Sequence, residues 1–138
     1  SLVPAAVFLF GAFISFSTGS SWGTFAIMMP LAIPMAHAFG IPFYIAVGAV
    51  LSGGLFGDHC SPISDTTILS STGAGCGLVE HIKTQLPYAA VNGTIAFIAY
   101  IITGLTGSEA ALGFAVIALI VVMAVLNRIS AARLAGKE

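Results

Sequence analysis

Two carboxylates seven residues apart, Asp58 and Asp65, lie within a long apolar stretch, and residues 1–79 contain no Lys or Arg that could neutralise them. A carboxylate in such a setting is costly to place, and where one is kept it usually belongs to an ion pathway or a proton relay. The two acids differ in their surroundings. Asp58 follows Gly57 at the end of an apolar run, where a helix C-terminus disfavours negative charge, so capping does not account for it. Asp65 precedes Thr66, Thr67, Ile68 and Leu69 and can equally be read as the N-cap of a following helix. Asp58 is therefore the first candidate for a functional acid and Asp65 the second.

Hydroxyls cluster at two places along the chain. Ser17, Thr18, Ser20, Ser21 and Thr24 surround one interruption of the apolar pattern, and Ser61, Ser64, Thr66 and Thr67 surround another. A hard monovalent cation stripped of water needs oxygen ligands, which hydroxyls and the carbonyls of unwound helix ends supply. Any one of these side chains could instead satisfy backbone groups freed by a helix break. As a set at two breaks they point to ion coordination, with Ser17, Thr18, Ser20, Ser21, Ser61, Ser64, Thr66 and Thr67 joining the two acids as candidate ligands. The run Asp58-His59-Cys60 also invites a zinc or thiol reading. Three consecutive side chains do not converge on one ion without a sharp turn, and zinc ligands are usually spaced further apart, so neither a metal centre nor a catalytic nucleophile is expected. His59 is read as a modulator that hydrogen-bonds within the break or titrates beside Asp58.

The elements that must position these groups follow from composition. Hydrophobic residues make up 58% of the 138 residues and charged ones 7%, against about 25% charged in an ordinary soluble domain. With a mean hydropathy of +1.07, the partner of this surface is a lipid bilayer. A net charge of −1 and the lack of a basic stripe argue against nucleic acid. Two cysteines, Cys60 and Cys76, are too few for a disulfide scaffold and read as free thiols.

Two apolar stretches, 2–39 and 42–75, are each interrupted, the first at 17–23 and the second at 57–65. Unwound backbone at membrane depth is tolerated only where it is buried in protein or lines a cavity, so both breaks should face inward, where they can meet. Ala49, Gly53 and Gly57 recur every fourth residue, a spacing that lets membrane helices approach closely. Residues 76–86, with Glu80, His81, Lys83 and Gln85, read as a polar link. Residues 87–127 hold two uninterrupted apolar runs, each suited to a spanning helix of ~20 residues. Arg128, Arg133 and Lys137 mark a tail over 128–138. By the positive-inside rule that tail is cytoplasmic, which puts Glu109 outside and Lys83 inside. The first run lacks a basic start and a cleavage pattern, so it is not a signal peptide. The expectation is a multi-pass plasma-membrane segment with four or five crossings, part of a larger protein or a half that needs a partner.

The motifs FSTGSSWGTF at 16–25, GDHCSPISDTTILSSTG at 57–73 and KTQLPY at 83–88 strongly resemble the NhaC-type sodium/proton antiporter family. Beyond Tyr88 the likeness is only hydropathic. The resemblance implies an all-α integral membrane fold, with a re-entrant hairpin (2–39) plus a broken helix (42–75) followed by two spanning helices. That is half of an inverted-repeat ion-transporter fold. It implies no cofactor beyond the transported ions, Na+ and H+, a partner in an N-terminal half, and leaves homodimerisation open. It also implies sodium/proton antiport, with the exchange of organic anions such as malate and lactate as the alternative, since relatives on this scaffold carry them. Lack of Lys and Arg before residue 80 weighs mildly against an anion. Two readings from other classes are a non-transporting membrane subunit and an intramembrane hydrolase using Cys60 or Ser61. The latter lacks a base and orienting partner beyond His59.

Overall fold

The computed structural model describes the backbone of residues 1–108 and 110–135 and the side chains of residues 1–108 and 110–128. Within these bounds every regular element is an α-helix: α1 (Val3–Thr18), α2 (Ser21–Ala38), α3 (Phe43–Cys60), α4 (Asp65–Gly73), α5 (Leu78–Thr106) and α6 (Ala110–Ala135). Among the described residues, three spans are long and apolar enough to cross a membrane, namely α3, α5 and Ala110–Arg128 of α6.

The first interruption is tighter than its composition suggests. Only Gly19 and Ser20 separate α1 from α2, and Ser17, Thr18 and residues 21–23 are helical. The hydroxyls of Ser17 and Thr18 donate to the carbonyls of Phe13 and Ile14 at 2.8 and 2.9 Å, so they bond back along their own helix instead of breaking it. Gly19 turns the chain with φ of 67°, and its N–H caps α1 by donating to the Ser15 carbonyl. Ser20 then caps α2, accepting from Gly23 N at 3.3 Å. The second interruption likewise narrows to residues 61–64, because α3 continues through Asp58, His59 and Cys60.

α1 and α3 run parallel in close contact. A Cβ on Gly53 would strike the carbonyl of Phe8, and one on Gly57 the carbonyl of Ala12. The predicted small-residue stripe is thus the surface on which α1 lies, with Ala49, Gly53 and Gly57 all buried. α2 returns antiparallel, its Phe25 ring seated on Gly54. α5 is antiparallel to α3: Gln85 donates to the His59 carbonyl at 2.9 Å, and the Tyr100 hydroxyl lies 3.0 Å from Ser52 Oγ. The core gathers on Phe8, which stacks on Phe56 and Phe97 and meets Tyr100 at 5.6 Å between ring centroids. α6 packs on α5 and buries none of its spanning window, which suits a helix that is apolar on every side and faces lipid.

The polar residues 80–85, expected as a separate link, are the first turns of α5, which runs unbroken for 29 residues through Pro87. Glu, Lys and Gln are good helix formers, and one proline removes a single ladder bond, so nothing compels a break there. α6 in turn continues past Arg128, where the tail was expected. Glu109, Lys137 and the side chain of Arg133, which carry part of the charge-based topology, lie outside the described residues.

Candidate functional site

Asp58 occupies the last turn of α3 and is 1% exposed. Its carboxylate reaches across the break to the first turn of α4. Ser64 Oγ donates to Oδ1 at 2.9 Å and Thr66 Oγ1 donates to Oδ2 at 2.6 Å. The two hydroxyl oxygens are themselves 2.7 Å apart. Three short oxygen contacts thus join the carboxylate and two hydroxyls that own one proton each. With Ser64 and Thr66 both donating to Asp58, the contact between their two hydroxyl oxygens has no proton of its own. The negative charge that the end of α3 disfavours is met by the start of α4, whose dipole favours it.

The N-cap of α4 is Ser64, one residue before the predicted Asp65. Its Oγ accepts from Thr67 N at 3.3 Å while donating to Asp58, and it is fully buried. Asp65 is the first helical residue, exposed, and accepts from Thr66 N at 2.8 Å, a placement in which its charge suits the helix N-terminus. The two acids therefore sit in opposite environments.

The breaks meet, as their polarity suggested. Ser61 Oγ donates to the Phe16 carbonyl at 2.8 Å, and a Cβ on Gly19 would lie 2.6 Å from the carbonyl oxygen of Ile63. Of the hydroxyls at the first break, Ser21 is buried and Ser20 partly so, whereas Ser17 and Thr18 are exposed. Phe25 seats on Gly54, so one turn along these antiparallel helices Ser21 comes level with Asp58. Thr24 is buried and donates to the Ser20 carbonyl at 2.9 Å. Thr67 is 2% exposed, and its Oγ1 has no hydrogen-bond partner among the described residues.

His59 turns away from Asp58. Its Nδ1 donates to the Leu55 carbonyl at 2.8 Å, and its ring lines a cavity of about 510 Å³ with Ser52, Gln85, Tyr88 and Asn92. The ring thus faces α5 and α6 instead of the Asp58 carboxylate. Cys60 is partly buried and Cys76 exposed, both as free thiols. No cluster of three His, Cys, Asp or Glu side chains suited to a metal ion occurs among the described residues. Trp22 is 79% exposed and touches Phe25 edge-on, so it neither walls the site nor fills the core.

Sequence reasoning missed Ser15. It is fully buried in the contact between α1 and α3, and its Oγ has no hydrogen-bond partner among the described residues. It lies in an uninterrupted apolar run rather than at a break. The signal that could have found it is the face shared by Phe8, Gly11, Ala12 and Ser15, where small residues recur at helical spacing.

The chain is 50% identical over 130 residues to an uncharacterized protein of Haemophilus influenzae, covering 91% of this chain and 25% of that protein. It is 35% identical over 86 residues to the malate-2H(+)/Na(+)-lactate antiporter of Bacillus subtilis, covering 62% of this chain and 18% of that one. It is also 35% identical over 91 residues to the Na(+)/H(+) antiporter NhaC of Alkalihalophilus pseudofirmus, covering 66% and 20%. The chain thus spans a quarter or less of the length of these relatives. No solved structure matches it. The model of the Na+/H+ antiporter family matches residues 1–105, the part that contains both breaks and Asp58, and the chain belongs to that family of membrane transporters.

Proposed function

We propose that the complete protein exchanges sodium for protons across the plasma membrane, with Asp58 as the group that binds the two ions alternately. The observation that carries this reading is the proton count around Asp58: three short oxygen contacts share two hydroxyl protons, so a proton and a cation are alternative ways to complete one site. Ser64, Thr66 and, from the hairpin side, Ser21 supply further oxygens. Asp65, Ser17, Thr18 and Ser20 stand further out, as groups an ion could meet on its way.

The architecture that fits this function is a re-entrant hairpin, α1 and α2, packed on a broken helix, α3 and α4, as one half of an inverted repeat. Helix lengths support it. The hairpin tip at Gly19 is level with the break after α3, while α4 adds nine residues, about 13 Å of helix, beyond that level. A hairpin that stops there turns inside the bilayer. With Lys83 inside, α1 and α3 start outside and the hairpin opens outward, and the C-terminus is cytoplasmic. The partner expected for this half is the rest of the transporter, with a second copy of the protein as a further partner.

A second reading has one observation in its favour: a relative as similar as the sodium/proton antiporters is named a malate-2H(+)/Na(+)-lactate antiporter. The same Asp58 site would then couple sodium or protons to an organic anion. The test uses the complete protein in inverted membrane vesicles with a fluorescent pH probe and labelled malate and lactate. Sodium-dependent proton movement without anion flux is expected. Anion exchange without a sodium response would replace the first reading by the second.

A further inference from the structure

We infer that the Ser15 hydroxyl is a ligand of the cation carried at Asp58, which makes the hairpin a sensor of whether the site holds sodium or a proton. The inference rests on the antiport reading above and adds a residue to its site.

Ser15 is 0% exposed and its Oγ is without a partner among the described residues, an uncommon state for a buried hydroxyl. The ordinary remedy within a helix is a bond to the carbonyl four residues back. Ser17 and Thr18, the next hydroxyls along α1, make that bond, and Ser15 does not. Its oxygen is therefore left for something else.

The register of α1 on α3 places what it faces. A Cβ on Gly11 would lie 3.5 Å from both Gly54 N and the Val50 carbonyl oxygen. Moving one turn along both parallel helices carries this contact to Ser15 against Gly54, Gly57 and Asp58. The register holds on either side of Ser15, because Ala12 packs on Gly57 and the Phe16 carbonyl accepts from Ser61. Thr67 Oγ1, in the first turn of α4, is a second buried hydroxyl without a partner among the described residues.

The two ions would use Ser15 differently. A proton on Asp58 sits between the carboxylate and the hydroxyls of Ser64 and Thr66 and needs nothing from α1. A sodium ion must replace lost water with several oxygens at once, and the unpaired one on α1 is available. Sodium would then add a second tie between the hairpin and the break, beside the Ser61 bond to the Phe16 carbonyl, and a proton would not.

The test compares the complete protein and its Ser15→Ala variant in proteoliposomes, reading sodium-driven proton movement, and in detergent, reading the rise in melting temperature on adding sodium. Ser15→Ala should raise the sodium KM about tenfold, equivalent to about 1.4 kcal/mol of lost cation binding. The maximal rate should stay within about twofold, and most of the sodium-induced rise in Tm should vanish. Without sodium the variant should melt no lower than the parent, since a buried hydroxyl with no partner contributes nothing that alanine loses. A Ser15→Ala protein with the parent's sodium KM and sodium-induced Tm rise would overturn the inference while Asp58 and antiport stand. A lowered sodium-free Tm with KM and maximal rate changed together would overturn it by making Ser15 a packing residue. If the parent protein moves no protons in response to sodium, the antiport reading falls and this inference with it.

Discussion

The hydroxyl of Ser64 holds Asp58 and the start of α4 together: it donates to Asp58 Oδ1 at 2.9 Å and accepts from Thr67 N at 3.3 Å. One side chain therefore caps a helix and orients the buried acid across the break. Ser64→Ala removes both roles. Loss of the cap costs about 1 kcal/mol, and Asp58 keeps Thr66 as its remaining donor. We expect a modest fall in thermal stability and a much larger loss of sodium-driven proton exchange. Normal exchange by Ser64→Ala would show that the Ser64 contact does not organise the site.

Gly57 permits the approach of α1 that closes the site from the hairpin side. A Cβ there meets the Ala12 carbonyl and lies 2.9 Å from Phe16 N, all backbone that cannot rotate away. Gly57→Ala should therefore destabilise the protein by about 1–3 kcal/mol or more, as overpacking does. Gly113, in α6, has nothing within 4 Å of its Cβ position, so Gly113→Ala should be tolerated. Melting of the two variants in detergent makes the comparison, and equal stability would contradict the packing described for α1 on α3.

Cys60 lines the end of α3 as a free thiol, half withdrawn from the surface. An oxygen can replace a sulfur that serves only to fill that position, so Cys60→Ser should retain transport. Complete loss with normal membrane insertion would revive a thiol or metal role.

Much of the candidate site was legible because its signals are local. A carboxylate without a basic neighbour, Ser and Thr at two interruptions and a Gly-x-x-x-Gly stripe each carry their meaning at short range. Asp58, Ser64 and Thr66 were identifiable on that basis. Features set by register were not. Ser15 acquires significance only when α1 lies parallel to α3 with Gly11 beside Gly54, a relationship between residues more than forty apart in the chain. The extent of the breaks was overestimated for a different reason: Ser17 and Thr18 satisfy their hydroxyls on their own helix, so polarity there does not interrupt it. His59 was tied to Asp58 by adjacency, yet neighbouring side chains on a helix point about 100° apart, and its ring faces α5.

Asp65→Asn tests the division of labour between the acids. Asp65 is exposed, and its Oδ1 accepts from Thr66 N at 2.8 Å, a bond that asparagine can keep. What is lost is a negative charge in the first turn of α4, worth about 0.3–1 kcal/mol. Transport should fall only mildly. A dead Asp65→Asn protein that still inserts would move the coupling role to Asp65.

The decisive variant is Asp58→Asn. Its amide keeps the size of the carboxyl group, its oxygen can accept from Ser64, and its NH2 can donate to Thr66 Oγ1, so the bonds across the break survive in altered polarity. Folding and membrane insertion should therefore persist. The amide cannot carry a proton and release it, and it offers a cation no net charge, so sodium-driven proton exchange should vanish together with any sodium-induced rise in melting temperature. Asp58→Glu keeps the charge but moves it by one methylene toward α4, where Ser64 and Thr66 already lie within 2.9 Å. Weak exchange with altered sodium affinity is the expected result, because ligand distance governs cation sites. Near-normal exchange by Asp58→Asn in vesicles containing the complete protein would sink the assignment of Asp58, and the remaining carboxylates would have to be searched for the group that couples the two ions.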